Sequence, residues 1–257
     1  MKVVILAGGF GTRISEESHL RPKPMITIGG RPILWHIMKS YSAQGYNDFV
    51  ICAGYKQEFI KEWFANYMVN VSDVTFDFTR NGEVQLLGAT PDPWRVTVVD
   101  TGLGTMTGGR VRRIRSFVGD EPFMLTYGDG VSDIDLFALE ATHKRGGQTV
   151  TVSVYRTGQT FGVIDLDSDG YVTEFREKSR SDGSLINIGF MVVNPGVFDY
   201  LDSDSTILEQ DALRQLSLDR RLGGYVHSGF WHCMDTQRDR QVLEEMWQNG
   251  AAPWKNW

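Results

Sequence analysis

Apolar residues along this chain follow two alternating periodicities. Short runs rich in Val, Ile, Leu and Phe occur at residues 2–6 (KVVIL), 48–54 (DFVICAG), 122–127 (PFMLTY) and 149–155 (TVTVSVY). They have the pattern of strands buried on both faces. Residues 73–78 and 94–100 read as further strands. Between the runs, apolar positions recur three and four apart, the spacing of a helix face. Ile33, Leu34, Ile37, Met38 and Tyr41 share one such face, with Pro32 as an opening residue and Gly45 as a stop. Phe59, Ile60, Trp63, Phe64 and Tyr67 repeat the spacing across residues 57–68. Residues 109–119 and 133–146 also read as helices, the second with Ser132 and Asp135 placed as a capping box. This alternation predicts an α/β fold, a Rossmann-like mixed and mostly parallel sheet flanked by helices. A ligand site then belongs at the carboxyl ends of the strands.

Beyond residue 156 the alternation loosens. Residues 161–178 read as a hairpin turning at Asp169 and Gly170. A strand at 186–195, helical segments near 195–201 and 206–216, a strand at 222–227 and a last helix at 238–250 complete the pattern. No repeat or low-complexity linker interrupts it, so residues 1–257 read as a single domain with added β-hairpin elements.

Composition narrows the function classes. A net charge of −6 argues against a general nucleic-acid binder and leaves room for a local basic pocket. The two cysteines, Cys52 and Cys233, lack zinc-ligand spacing and read as thiols in a reducing compartment. No stretch approaches the ~18 apolar residues of a membrane span, and the short apolar N-terminus enters a core strand. The expected location is cytoplasmic.

Candidate chemistry begins where the first strand ends, in VVILAGGFGTR, residues 3–13. Counting from Gly8, Arg13 stands where a Walker loop needs its second glycine, and Ile14 stands where G-x-G-x-x-G needs its third. Neither a P-loop ATPase nor a simple dehydrogenase fits. Absent side chains at Gly8, Gly9 and Gly11 still let backbone N–H groups approach a phosphate or base edge. Arg13 adds a permanent charge able to grip phosphate oxygens. The competing reading of the glycines is a tight turn without a ligand. Lys23 lies between Pro22 and Pro24, which stiffen the backbone and place a charge in advance. Asp129 follows a buried strand in MLTYGDG, and Asp235 follows an apolar stretch in GFWHCMDT. Carboxylates beside phosphates need a cation between them, and magnesium takes one or two carboxylates together with substrate phosphates. Taken singly, each aspartate also reads as a turn residue or a helix cap. His232 with Asp235 would suit a softer metal, which an oxygen-rich phosphate site disfavours.

LAGGFGTR, PKPM, GDG, EK and MDT together resemble the sugar-1-phosphate nucleotidylyltransferases. MTGGR, TYGDGVSDID and the closing APWKNW resemble the cytidylyl branch that acts on glucose 1-phosphate. The resemblance spans nearly the whole chain and implies a nucleotide-diphospho-sugar transferase fold. Residues 1–155 would form the nucleotide-binding half, and 156–257 the sugar-binding half with the C-terminal segment. The implied reaction takes CTP and α-D-glucose 1-phosphate to CDP-glucose and pyrophosphate with Mg2+. Catalysis is implied for Arg13, Lys23, Asp129 and Asp235, with both aspartates as metal ligands. Leu6, Ala7, Gly8 and Gly9 would face cytosine and ribose, and Gly11, Thr12 and Arg13 the outer phosphates. Lys23 would meet the α-phosphate. Thr105 and Arg110 would close on base and phosphates, and Gly128 would face the nucleotide. Glu177, Lys178, Asn187 and Gly189 match sugar and sugar-phosphate positions. A homo-oligomer, a hexamer in the cytidylyl branch, is also implied, as is a place upstream of dideoxyhexoses for lipopolysaccharide O-antigen.

Two departures from the family pattern stand out. Ser179 follows Glu177-Lys178 where proline is common, and His232-Cys233 precede Met234-Asp235 where another pair is expected. Residue types alone leave UTP or dTTP open as the nucleotide, and a non-catalytic nucleotide-sugar-binding protein is the alternative of a different class. Trp247, Trp254 and Trp257 read as packing or subunit contacts, and His19, His36, His143 and His227 receive no role.

Overall fold

A computed structural model describes residues 1–14, 19–88, 90–157, 163–166, 172–176 and 184–257; of Arg13 and of 163–166 and 172–176 it describes the backbone alone. Strand β1 (Lys2–Ala7) is apolar on both faces and runs through the middle of the central sheet. The strands that follow are β2 (Thr27–Ile28), β3 (Arg31–Pro32), β4 (Asp48–Ala53), β5 (Asp73–Asp77), β6 (Glu83–Leu87) and β7 (Arg95–Asp100). Then come β8 (Phe123–Tyr127), β9 (Gly130–Ser132), β10 (Val150–Arg156), β11 (Val163–Leu166) and β12 (Val172–Arg176). The last are β13 (Leu185–Val193), β14 (Leu222–His227) and β15 (Trp231–Cys233).

Seven of these form one sheet in the order β14-β10-β13-β8-β1-β4-β7. β1 pairs in parallel with β4 and β8, β4 with β7, and β10 with β14. β13 runs antiparallel between β8 and β10. The mixed, mostly parallel sheet agrees with the expectation from sequence. Because β4 and β8 leave on opposite sides of β1, the crevice beyond the carboxyl end of β1 is a topological switch point.

Alternate residues of each central strand enter separate cores. Val3, Ile5, Phe49 and Ile51 pack beneath α1 (Ile33–Ala43), while Val4, Leu6, Val50 and Cys52 pack beneath the segment holding Val111, Ile114 and Val118. That segment differs from expectation. Residues 109–119 belong to two short helices, Thr107–Arg113 and Arg115–Val118, because Ile114 leaves helical geometry while staying buried with Val111 and Val118. The helix expected over 57–68 likewise breaks at Asn66, whose side-chain amide donates to the Glu62 carbonyl at 2.9 Å. The capping box at Ser132 does not form. Ser132 lies in β9 and donates to the Phe230 carbonyl at 2.7 Å, and Asp135 alone caps the helix Leu136–Gly146 through the Ala138 N–H. Residues 195–201 hold a 3-10 turn, Pro195–Tyr200. Residues 206–216 hold a π-helical turn, Leu208–Ala212, that runs into the α-helix Leu213–Leu218. β11 and β12 form the antiparallel pair expected for the hairpin, whose turn lies outside the described residues.

The C-terminal tryptophans close one end of the first core. Trp254 is fully buried and donates from Nε1 to His36 Nδ1 at 3.3 Å, while His36 Nε2 donates to the Ile28 carbonyl at 2.8 Å. Burial lowers the His36 pKa to about 4 from the ordinary histidine value of about 6.5. The unfolded chain therefore binds this proton between those values and the folded chain does not. Stability is complete above pH 6.5 and falls as the pH drops toward 4, by about 2 kcal/mol from this group between pH 7 and 5. Urea unfolding at the two pH values checks this, and His36→Gln removes that share of the slope.

Candidate active site

The carboxyl ends of β1 and β8, with the segment that follows β7, open into a cavity of about 1140 Å³. Leu6, Ala7, Gly8, Gly9, Gly11 and Thr12 supply one wall. A Cβ on Gly8 would lie 2.2 Å from the Arg110 guanidinium, so the bare backbone is a steric requirement there. Gly9 faces open space. Arg13 follows in the 3-10 turn Thr12–Ile14.

Arg110 is 4% exposed, at the base of this wall. Its Nη1 donates to Thr101 Oγ1 at 2.7 Å and to the Gly102 carbonyl at 2.8 Å, and its Nη2 donates to the Gly8 carbonyl at 2.9 Å. Together with a longer bond from Nη1 to the Ala53 carbonyl at 3.3 Å, these tie the glycine loop to the ends of β4 and β7, a bracing role that sequence reasoning did not foresee. Thr105, also buried, lines the cavity beside it.

Lys23 begins the 3-10 turn Lys23–Met25, with Pro22 before it and Pro24 after it. Its Nζ lies 2.7 Å from Asp129 Oδ2 and 2.6 Å from Asp235 Oδ1. Two carboxylates distant in sequence thus meet at one ammonium inside the cavity. Short β-pairing brings them together. β9 begins one residue after Asp129, β15 ends two residues before Asp235, and Gly130 pairs with Cys233. The Met234 N–H also donates to the Asp129 carbonyl at 2.8 Å. His232 and Cys233 serve as strand residues of this ribbon. Thr236, not Asp235, caps the last helix, Gln237–Gln248, in a capping box with Asp239. The Asp235 carboxylate is thereby left to face Lys23.

Burial opposes the Lys23 charge, but attraction to Asp129 and hydrogen bonds to both carboxylates outweigh it, so its pKa stands above the ordinary lysine value. A raised pKa means that this contact stabilises the fold fully below the unfolded value and loses that contribution as pH rises past the folded one. The donor set fits magnesium: two hard carboxylates open to a cavity, with an ammonium already standing in for a cation. Among the described residues there is no cluster of three or more His, Cys, Asp or Glu suited to a metal, so substrate oxygens and water would complete the shell.

Gly128 donates its N–H to the Leu6 carbonyl at 2.9 Å, continuing the pairing of β1 with β8 up to the cavity. Asn187 also lines the cavity. Gly189 does not line the cavity; its φ of +77° and missing side chain leave room for the Tyr127 ring, 2.8 Å from where a Cβ would sit. Glu177 and Lys178 lie outside the described residues. Sequence reasoning missed Tyr127 and Glu209, whose side chains are hydrogen-bonded at 2.5 Å in the cavity wall. Nothing in ILEQDAL marks Glu209 as more than a helix residue.

A switch-point crevice holding a glycine loop, a lysine and two converging acids is the architecture of a phosphoryl-group enzyme. The chain matches the nucleotidyl transferase family over residues 2–232 and belongs to it. It is 50% identical over 258 aligned residues to glucose-1-phosphate cytidylyltransferase of Salmonella typhi, covering 100% of both chains. It is 45% identical over the same length to the probable glucose-1-phosphate cytidylyltransferase of Bacillus subtilis (strain 168), again with full coverage of both. Its fold is similar to that of HddC from Yersinia pseudotuberculosis, with a TM-score of 0.67, 20% identity, and 96% and 99% of the two chains covered.

Proposed function

We propose that the protein transfers the cytidylyl group of CTP to α-D-glucose 1-phosphate, giving CDP-glucose and pyrophosphate. The observation that carries this reading is identity over the full length at 50% to a cytidylyltransferase of that specificity. The site geometry supports it. A phosphate oxygen of the sugar phosphate attacks the α-phosphorus of CTP and forms the new P–O bond. The bond from that phosphorus to the bridging oxygen breaks, and the electron pair leaves with pyrophosphate. Little covalent work falls to the protein, so positioning and charge supply the rate.

In this reading the loop from Leu6 to Thr12, with Thr105 and Gly128, presents backbone and small groups to the nucleotide. Arg110 braces that loop from below. Arg13 opposes the charge of the outer phosphates, and Lys23 that of the α-phosphate. Magnesium held by Asp129 and Asp235 would supply further neutralisation at the triphosphate when bound. Asn187, Glu177 and Lys178 form the proposed sugar end, and Gly189 acts behind it by leaving room for the Tyr127 ring. The chain acts as one nucleotidyltransferase domain with its nucleotide half in residues 1–155.

We also place the protein in the cytoplasm, ahead of dideoxyhexose formation for the O-antigen; both cysteines are free thiols, Cys52 buried with its pKa pushed up to about 12. Among the described residues no helix is long and apolar enough to cross a membrane. A homo-oligomer, proposed as a hexamer from the family resemblance, would need apolar contact surface, and the β5–β6 hairpin offers it: Phe76, Val84, Leu86 and Leu87 are exposed and Phe78 is 84% exposed.

A turnover assay with CTP, UTP and dTTP against labelled glucose 1-phosphate tests the specificity. The expected result is a kcat/KM for CTP at least about 100-fold above the others, the discrimination available to a site that hydrogen-bonds the base edge. Dominant activity with UTP or dTTP overturns the assignment.

A further inference from the structure

Glu209 occupies the π-helical turn Leu208–Ala212, with Leu208 and Ala212 buried behind it and its carboxylate on the cavity side. Such turns recur at functional sites because they re-aim a side chain at the expense of regular helix bonding. Tyr127 Oη donates to Oε1 at 2.5 Å, and Thr107 Oγ1 donates to Oε2 at 2.8 Å.

The direction of both bonds is fixed by the rest of the network. Thr107 Oγ1 already accepts from the Leu208 N–H at 2.9 Å, and Tyr127 Oη accepts from Asn187 Nδ2 at 3.4 Å. Each hydroxyl therefore spends its proton on Glu209. Burial, with the nearby Glu209 charge, raises the Tyr127 pKa and keeps that phenol protonated.

A carboxylate has about four lone-pair positions, and two are taken from the protein side. Among the described residues no lysine or arginine forms an ion pair with Glu209. The acceptor capacity left over faces a cavity in which a phosphate would be repelled and a hydroxyl would be held. Tyr127 and Asn187 place this acceptor at the end of the cavity assigned above to the sugar.

We propose that Glu209 is a specificity-determining residue that accepts a hydrogen bond from a ring hydroxyl of the hexose in the acceptor sugar phosphate, with Tyr127 and Thr107 locking its orientation. This rests on the cytidylyltransferase reading. The shared chemistry is a sugar hydroxyl, and ribose is the other source that could supply one.

The test is kcat/KM for glucose 1-phosphate and for its 2-, 3-, 4- and 6-deoxy analogues, in the wild type and in Glu209→Gln, with CTP and with 2′-deoxy-CTP. Wild-type enzyme is expected to lose about 10- to 100-fold with one deoxyhexose, the range for a hydrogen bond to a charged group. Glu209→Gln is expected to lose a similar factor with glucose 1-phosphate, and less than about threefold further with that same analogue. KM for CTP stays within about threefold. A merely structural role lowers activity equally for every analogue and overturns the proposal, as does coupling that appears only with 2′-deoxy-CTP. If Glu209→Gln fails to fold, the wild-type series still decides, because uniform activity across the deoxyhexoses also overturns it. An inactive wild type with CTP and glucose 1-phosphate would instead refute the underlying function.

Discussion

Lys23→Met lowers kcat by about 1,000-fold and, without nucleotide, tightens Mn2+ binding to the protein. The first effect follows from removing a charge held in advance at the proposed reaction centre. Comparable preorganised donors are worth on the order of 100- to 1,000-fold each, and cationic groups on transferring phosphates more. The second effect follows from where the ammonium rests. Lys23 Nζ lies 2.7 and 2.6 Å from the two carboxylates that would hold the metal, inside a side chain only 10% exposed. A divalent ion entering alone must displace it, whereas a triphosphate offers the ammonium another anion. Methionine keeps the length and apolar stem and leaves Asp129 and Asp235 facing one another without a cation, which raises their attraction for Mn2+. Calorimetric Mn2+ titration of the ligand-free protein measures this directly. Weaker binding by the variant than by the wild type would mean that lysine and metal use different places.

Asp129→Asn and Asp235→Asn each lower kcat by about 100- to 1,000-fold, and the double variant loses little beyond the poorer single one. Groups that act as a unit show this lack of additivity. Their unity is built by the β9–β15 ribbon, which pairs Gly130 with Cys233 and sets the two carboxylates on a common point. Asparagine preserves size and one acceptor oxygen, so the loss reads charge and metal affinity. Mn2+ titration in the presence of CTP shows the binding loss separately from turnover. The metal assignment does not survive if the double variant keeps activity within about tenfold of wild type.

Much of this site was legible because its parts are local. The run of small residues after β1 needs only a strand and a turn to be exposed at the sheet edge. Pro22-Lys23-Pro24 stiffens its own lysine, and Gly128-Asp129 follows its own strand. Arg110 was legible as a motif residue but not as a brace. Thr101 and Gly102 stand only nine and eight residues before it, but Gly8 is 102 residues away, beyond the end of β1, and meets it only when the sheet is assembled. Local patterning also misplaced helix limits where a buried residue overrode propensity. Ile114 stays in the core by leaving helical geometry, and Ser132 gives its hydroxyl to the Phe230 carbonyl.

The sequence by itself determined the alternating elements, the doubly buried central strands and the chemical kinds of group available, because periodicity and residue type act over a few neighbours. Tertiary structure alone decided that Asp129 and Asp235 share one lysine, that Arg110 lies beneath the glycine loop, and that Glu209 faces the cavity. Those facts depend on which strands pair and in what register, and pairing joins positions more than 80 residues apart through contacts that no local pattern encodes.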